Sequence, residues 1–270
     1  MAVIGVTGYR GRLGSALVKR GCVPLNLDVT DRISIEGALA DIRPDVVINC
    51  AAMSDVDGCE DDPVTAYKVN TYGVYNIASK FSGKFVQIST DYIFDGKLGR
   101  YKEVDQGNPL CTYGFTKYFA EVGLRQRKNN LIIRTTILYG GNRSKQSDFV
   151  TKIYNKLLGG QTAHCPDTAF GNPTYVDHLA EGILNAIQKD LTGIINIAGR
   201  DWISRYDLAK MIAKLSGFDS ELIFRGDVYG TAQRPLLAGF DLTKARILGI
   251  PIYSVEDGLR AWLAERIYVE

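Results

Sequence analysis

The chain has 270 residues, enough to bury one substantial core, or one core with a smaller lobe beside it. With 46% apolar residues, 23% charged residues and a formal net charge of +2, it has a globular make-up and offers no electrostatic case for binding nucleic acid or a membrane; no apolar run approaches a membrane span. Five cysteines without a Cys-x-x-Cys pair and two histidines give no zinc ligand cluster, so no metal is expected, and the thiols read as reduced structural residues of a cytoplasmic protein.

The first element is an apolar strand over residues 2–7, without the basic-then-apolar layout of a signal peptide. Gly8, Gly11 and Gly14 follow, spaced Gly-x-x-Gly-x-x-Gly, and lead into a helical pattern that runs to Arg20. Glycines here let the backbone turn tightly and approach a pyrophosphate at the helix N-terminus, so the turn predicts a dinucleotide site. The second strand is cramped into residues 22–27 and offers no clear acid for an adenosine 2′-hydroxyl. Arg10 and Arg12 lie inside the glycine turn, where a guanidinium would meet a 2′-phosphate and favour NADPH, with NADH as the other option. The alternative leaves both arginines facing solvent.

Strand and helix signals then alternate. Residues 31–42 read as a helix, 45–50 as a buried strand and 63–81 as one long helix opened by Pro63. Residues 84–89 read as a strand, 113–126 as a helix and 130–135 as another strand. Such alternation implies an α/β chain with a Rossmann-type doubly wound parallel sheet. After Gly140 the rhythm loosens into helical runs at 148–158, 176–188, 205–216 and 255–265. The expected organisation is a dinucleotide-binding domain over 1–142. Residues 143–270 form mainly a smaller C-terminal substrate-binding lobe, with some segments returning to the sheet.

The strongest local signal is Phe85-Val86-Gln87-Ile88 running into Ser89-Thr90-Asp91-Tyr92, then a polar loop, then Tyr113 with Lys117 four positions on. Residues four apart share a helix face, so the ammonium can sit near the phenol and favour its ionised form. A Thr–Tyr–Lys set of this kind handles a proton at a carbonyl oxygen, as reduction by a nicotinamide requires. The same spacing recurs at Tyr206 and Lys210, inside an amphipathic run, where it reads as a solvated helix edge.

Together these segments resemble the extended short-chain dehydrogenase/reductase superfamily, and within it the dTDP-4-dehydrorhamnose reductase family. The likeness also rests on Asn49-Cys50-Ala51-Ala52-Met53-Ser54-Asp55-Val56-Asp57, Glu60, Val69-Asn70, Phe170-Gly171-Asn172-Pro173-Thr174 and Arg234-Pro235. It implies an NAD(P)H-dependent reductase of a 4-keto-6-deoxy sugar nucleotide, in dTDP-L-rhamnose biosynthesis. Gly8, Arg10, Gly11, Arg12, Leu13 and Gly14 would then serve the cofactor phosphates, and Asp28 and Val29 the adenine. Ala51, Ala52 and Ser54 would line the path to the nicotinamide, with Lys117 at its ribose. Thr90 and Tyr113 would touch the sugar carbonyl. The substrate would further meet Ser54, Val56, Asp91, Tyr92 and Ile137, with Arg234 at its nucleotide end. Ile137 stands where the family typically has a Trp, which leaves the sugar open. The resemblance also allows a homodimer.

Two other readings remain at this level. An epimerase or dehydratase of the same superfamily would keep its NAD and return the hydride, although a dehydratase generally needs an acidic pair after the Thr and here Tyr92 follows Asp91. A non-catalytic regulatory subunit would keep the fold and bind NADPH without turnover.

Overall fold

The computed structural model describes residues 2–141, 148–228 and 230–267. The predicted domain boundary at 142/143 lies outside the described residues.

Five strands come from the first half of the chain: β1 Ile4–Thr7, β2 Val23–Pro24, β3 Val46–Asn49, β4 Lys84–Thr90 and β5 Asn130–Thr135. The strand Gly193–Asn196 joins β5 at the far edge, and all pairings are parallel. Across the sheet the order is β2-β1-β3-β4-β5 and then Gly193–Asn196, so chain direction across the sheet reverses between β1 and β3. That reversal opens the crevice in which doubly wound sheets bind ligands.

Parity along the strands builds two cores. Val46, Ile48, Val86, Leu131 and Ile133 face helices α1 (Arg12–Lys19) and Val176–Gln188. Val47, Phe85 and Ile132 face the opposite way, onto α2 (Arg32–Ile42) and the helices between β3 and β5. Both sheet faces are therefore apolar, as parallel strands covered by helices demand.

The long helix predicted over 63–81 is broken into three. A short helix, Pro63–Tyr67, gives way to a wide π turn, Lys68–Tyr72, before the helix resumes as Gly73–Lys80. The cause is tertiary. Asn70 exchanges two hydrogen bonds with the backbone of Met53 (2.8 and 2.9 Å) and donates to Thr116 Oγ1, while Thr71 donates to the Thr116 carbonyl at 2.7 Å. An extra residue in the turn aims both side chains inward, a use of π turns common beside functional sites.

Candidate active site

At the carboxyl ends of β1, β3, β4 and β5 lies a cleft of about 360 Å³. Its walls are the glycine turn with the start of α1, the loop after β3, the end of β4, the helix Thr112–Leu124, and the segment after β5.

One end is shaped for a dinucleotide. Gly8 has φ +61°, and a Cβ there would lie 2.6 Å from the Ala51 nitrogen; a Cβ at Gly14 would strike the Gly8 carbonyl. Gly11 stands at the N-cap of helix α1, which has no side-chain cap and no acid in its first turn, so its leading N–H groups and positive dipole end are available to a phosphate. Gly11, Arg12, Leu13 and Gly14 line this end, with Ala51, Ala52 and Ser54 opposite. Deeper in, Ser89 Oγ and Thr135 Oγ1 are buried without a partner among the described residues, which suits a polar ligand group reaching that depth. The donor set therefore fits a nicotinamide dinucleotide.

The two arginines of the turn part company. Arg12 donates to Asp148 Oδ2 at 2.7 Å and to the Gly140 carbonyl at 3.1 Å, tying α1 to the second half of the chain. Arg10 is exposed, its guanidinium 5.3 Å from the centre of the Tyr9 ring, and the Tyr9 phenol reaches Asn26 just beyond β2. Asp28 and Val29 do not border the cleft: Asp28 accepts from Thr30, and Val29 packs under Gly73.

At the other end Thr90, Tyr113 and Lys117 converge. Thr90 closes β4, where its hydroxyl caps the turn Asp91–Ile93 and reaches Asp91 Oδ1 at 3.2 Å. Tyr113 and Lys117 lie one helical turn apart on Thr112–Leu124, facing the cleft. That helix lacks a side-chain cap of its own; Glu60 supplies one, accepting from Thr112 N at 2.7 Å and Thr112 Oγ1 at 2.8 Å. A carboxylate at that end also suits the helix dipole.

Electrostatics here depart from the expected lowering of the phenol by Lys117. Burial pushes the Tyr113 phenol well above its ordinary pKa, against the Thr90 hydroxyl, which hydrogen-bonds it and pulls the other way; Asp91, Tyr92 and Cys59 add to the rise. Lys117 Nζ is held instead by the Ile88 carbonyl at 2.6 Å. Burial brings this ammonium down to about 8, while Glu121 and Cys50 favour its charged form. Glu121 is itself enclosed, accepting two hydrogen bonds from Arg134 at 3.0 and 2.7 Å. In the protein alone, then, Tyr113 is a protonated acid at neutral pH.

Val56, Asp91, Tyr92 and Ile137 complete the wall beyond Thr90. Ile137 has φ +46°, a costly conformation for a β-branched residue, and its side chain fills the space above Gly171. Arg234 does not border the cleft. It donates to Asp57 Oδ2 at 2.7 Å and to the Ala232 carbonyl at 2.9 Å, while Asp57 Oδ1 takes the N–H groups of Thr231 and Ala232. The Arg234 hydrogen bond leads in holding Asp57 down at about 2.

Sequence reasoning did not single out Asn70, Glu60, Glu121 or Arg134 for the site, although Asn70 and Glu60 lay in quoted motifs. A carboxylate four residues beyond Lys117 was the available signal for Glu121.

Residues 1–267 match the family model described as RmlD substrate binding domain. A dTDP-4-dehydrorhamnose reductase of Aggregatibacter actinomycetemcomitans is 30% identical over 275 residues, covering 90% of this chain and 92% of its own. The crystal structure of dTDP-4-dehydrorhamnose reductase from Bacillus anthracis in complex with NADP superposes with a TM-score of 0.91 at 27% identity, covering 98% and 99% of the two chains. Methionine adenosyltransferase 2 subunit beta of Danio rerio is 26% identical over 279 residues, covering 92% and 85%. By the near-complete family match and these relatives, the chain belongs to the dTDP-4-dehydrorhamnose reductase family of the extended short-chain dehydrogenase/reductase superfamily.

Proposed function

We propose that this protein is an NAD(P)H-dependent reductase of a 4-keto-6-deoxy sugar nucleotide, acting as a dTDP-4-dehydrorhamnose reductase in dTDP-L-rhamnose biosynthesis. The observation that carries the reading is the sharing of one cleft by Thr90, Tyr113 and Lys117 with a glycine turn and an uncapped helix start. The reduced nicotinamide, when bound, supplies the hydride that attacks the sugar ketone. Tyr113 then gives its proton to the forming alkoxide, a role suited to a phenol that the site keeps protonated. Thr90 hydrogen-bonds the same oxygen and holds it in line. Lys117, fixed on the Ile88 carbonyl, presents its remaining N–H groups to the cofactor ribose.

NADPH is the cofactor of this reading, with NADH as a second donor. Arg10, exposed over the Tyr9 ring, whose phenol meets Asn26 rather than an acid just past β2, favours the extra phosphate. Arg12, engaged by Asp148, supports the turn. The partners are a sugar nucleotide and, at most, a second copy of the chain. No described helix is long and apolar enough to cross a membrane. The five free thiols suit a cytoplasmic setting.

A non-catalytic regulatory subunit would have no use for a proton donor beside Thr90 in a cleft shaped for a dinucleotide. The test is a screen of 4-keto-6-deoxy sugar nucleotides following loss of NADPH absorbance. Stoichiometric consumption with dTDP-4-dehydrorhamnose supports the reading. Tight NADPH binding without consumption on any keto-sugar nucleotide, or turnover without net consumption, overturns it.

A further inference from the structure

We propose that Arg205 receives the diphosphate of the sugar-nucleotide substrate, an assignment that rests on the reductase reading above.

A sugar whose ketone meets Tyr113 must lead its diphosphate away from the cofactor end. Beyond Thr90 the wall continues through Asp91, Tyr92, Thr136 and Ile137, toward the second half of the chain. A diphosphate is a dianion, and burying it calls for a cation with fixed donors.

Arg205 opens the helix Arg205–Ser216 directly after its Ser204 cap, and its backbone N–H donates to the Ala169 carbonyl at 3.0 Å. The guanidinium lies 5.4 Å from the centre of the Phe149 ring. Its Nη1 is buried and has no hydrogen-bond partner among the described residues. Among the described residues no carboxylate stands within 4.0 Å of it.

Among the described residues the other enclosed arginines are answered. Arg134 has Glu121, Arg12 has Asp148 and Arg234 has Asp57, while Arg127 donates to the carbonyls of Ala78 and Gly83. Asp91 does act on Arg205 electrostatically, but its two oxygens already accept from Thr90 and Thr136. Tyr92, on the cleft wall, feels the charge of Arg205 as well as that of Arg234. Arg205 is half-buried, and enclosing its Nη1 with no acid paired to it is costly; a cation in a helix's first turn also stands at the wrong end of the dipole. A ligand anion removes both penalties, and the planar fork matches phosphate oxygens bidentately. Arg234, predicted from sequence for this task, is already neutralised by Asp57 and also donates to the Ala232 carbonyl.

The experiment measures binding of dTDP, UDP and GDP, and of the matching monophosphates, to the NADPH-loaded protein by calorimetry, in wild type, Arg205→Ala and Arg205→Lys. NADPH affinity and thermal unfolding serve as controls. Loss of charge-assisted hydrogen bonds predicts that Arg205→Ala weakens the tightest nucleoside diphosphate by about ten- to a hundredfold. NADPH affinity should hold within roughly twofold, the monophosphate should lose less, and Arg205→Lys should fall between. Unchanged diphosphate affinity in Arg205→Ala overturns the assignment and leaves the reductase reading standing. So does an equal loss for mono- and diphosphate, or a parallel loss of NADPH affinity. If the wild type binds none of the three diphosphates, the sugar-nucleotide reading itself fails, and this assignment with it.

Discussion

The chain writes Tyr-x-x-x-Lys twice on helices, and the two copies have little else in common. At Tyr206 and Lys210 the lysine lies 5.7 Å from the centre of its own tyrosine ring, donates to the Ser220 carbonyl and reaches Glu221 at 3.7 Å, all on a partly exposed edge. At Tyr113 and Lys117 the ammonium is buried and turned away to the Ile88 carbonyl, while the phenol meets a threonine at the end of a strand. Spacing puts a tyrosine and a lysine on one helix face; only the first helix packs that face against the carboxyl ends of the sheet. Catalytic potential therefore comes from β4, which ends in Thr90, as much as from the helix.

The largest expected effect that would break this contrast is in Tyr113→Phe, which should lower kcat by about two to four orders of magnitude while NADPH binding, followed by fluorescence titration, is retained. Lys117→Met should cost about a hundredfold in kcat/KM. It also carries a pH signature. The folded pKa of Lys117 lies at about 8, below its ordinary 10.5, so the ammonium is present in both folded and unfolded protein below about 8. Between those values the unfolded chain holds a proton that the folded protein has released. Wild type should therefore gain stability relative to Lys117→Met as pH rises through that window, read from denaturant midpoints; a difference that stays flat would show that the ammonium is not buried as described. Arg10→Ala, at an exposed site, should narrow the NADPH/NADH affinity ratio by roughly fivefold, and an unchanged ratio would remove Arg10 from cofactor choice. The smallest effect belongs to Tyr206→Phe, with steady-state constants inside experimental scatter; a substantial loss there would mean that the second copy takes part after all.

What could be read from the chain alone was whatever depends on neighbours in sequence. A glycine turn between strand and helix, alternating elements, and a strand ending in Ser89-Thr90 are local patterns, and each lies on the cleft or beneath it. What escaped depends on residues far away. The break in the helix after Tyr67 is made by Met53 and Thr116 acting on Asn70 and Thr71. Arg12 was unassignable without Asp148, 136 positions later, and Arg234 without Asp57, 177 positions earlier. The direction of the Tyr113 shift was missed because helical spacing shows which groups share a face but not how deeply the fold buries the phenol.

The carboxylate of Glu121 answers two cations at once: Arg134, through a fully buried pair, and the nearby Lys117. A buried ion pair can often be exchanged for well-packed apolar side chains with a gain in robustness. Here that exchange would strip the neighbouring amine of the charge that keeps it protonated. An engineer seeking a hardier variant at positions 121 and 134 should therefore find thermal tolerance and turnover moving in opposite directions.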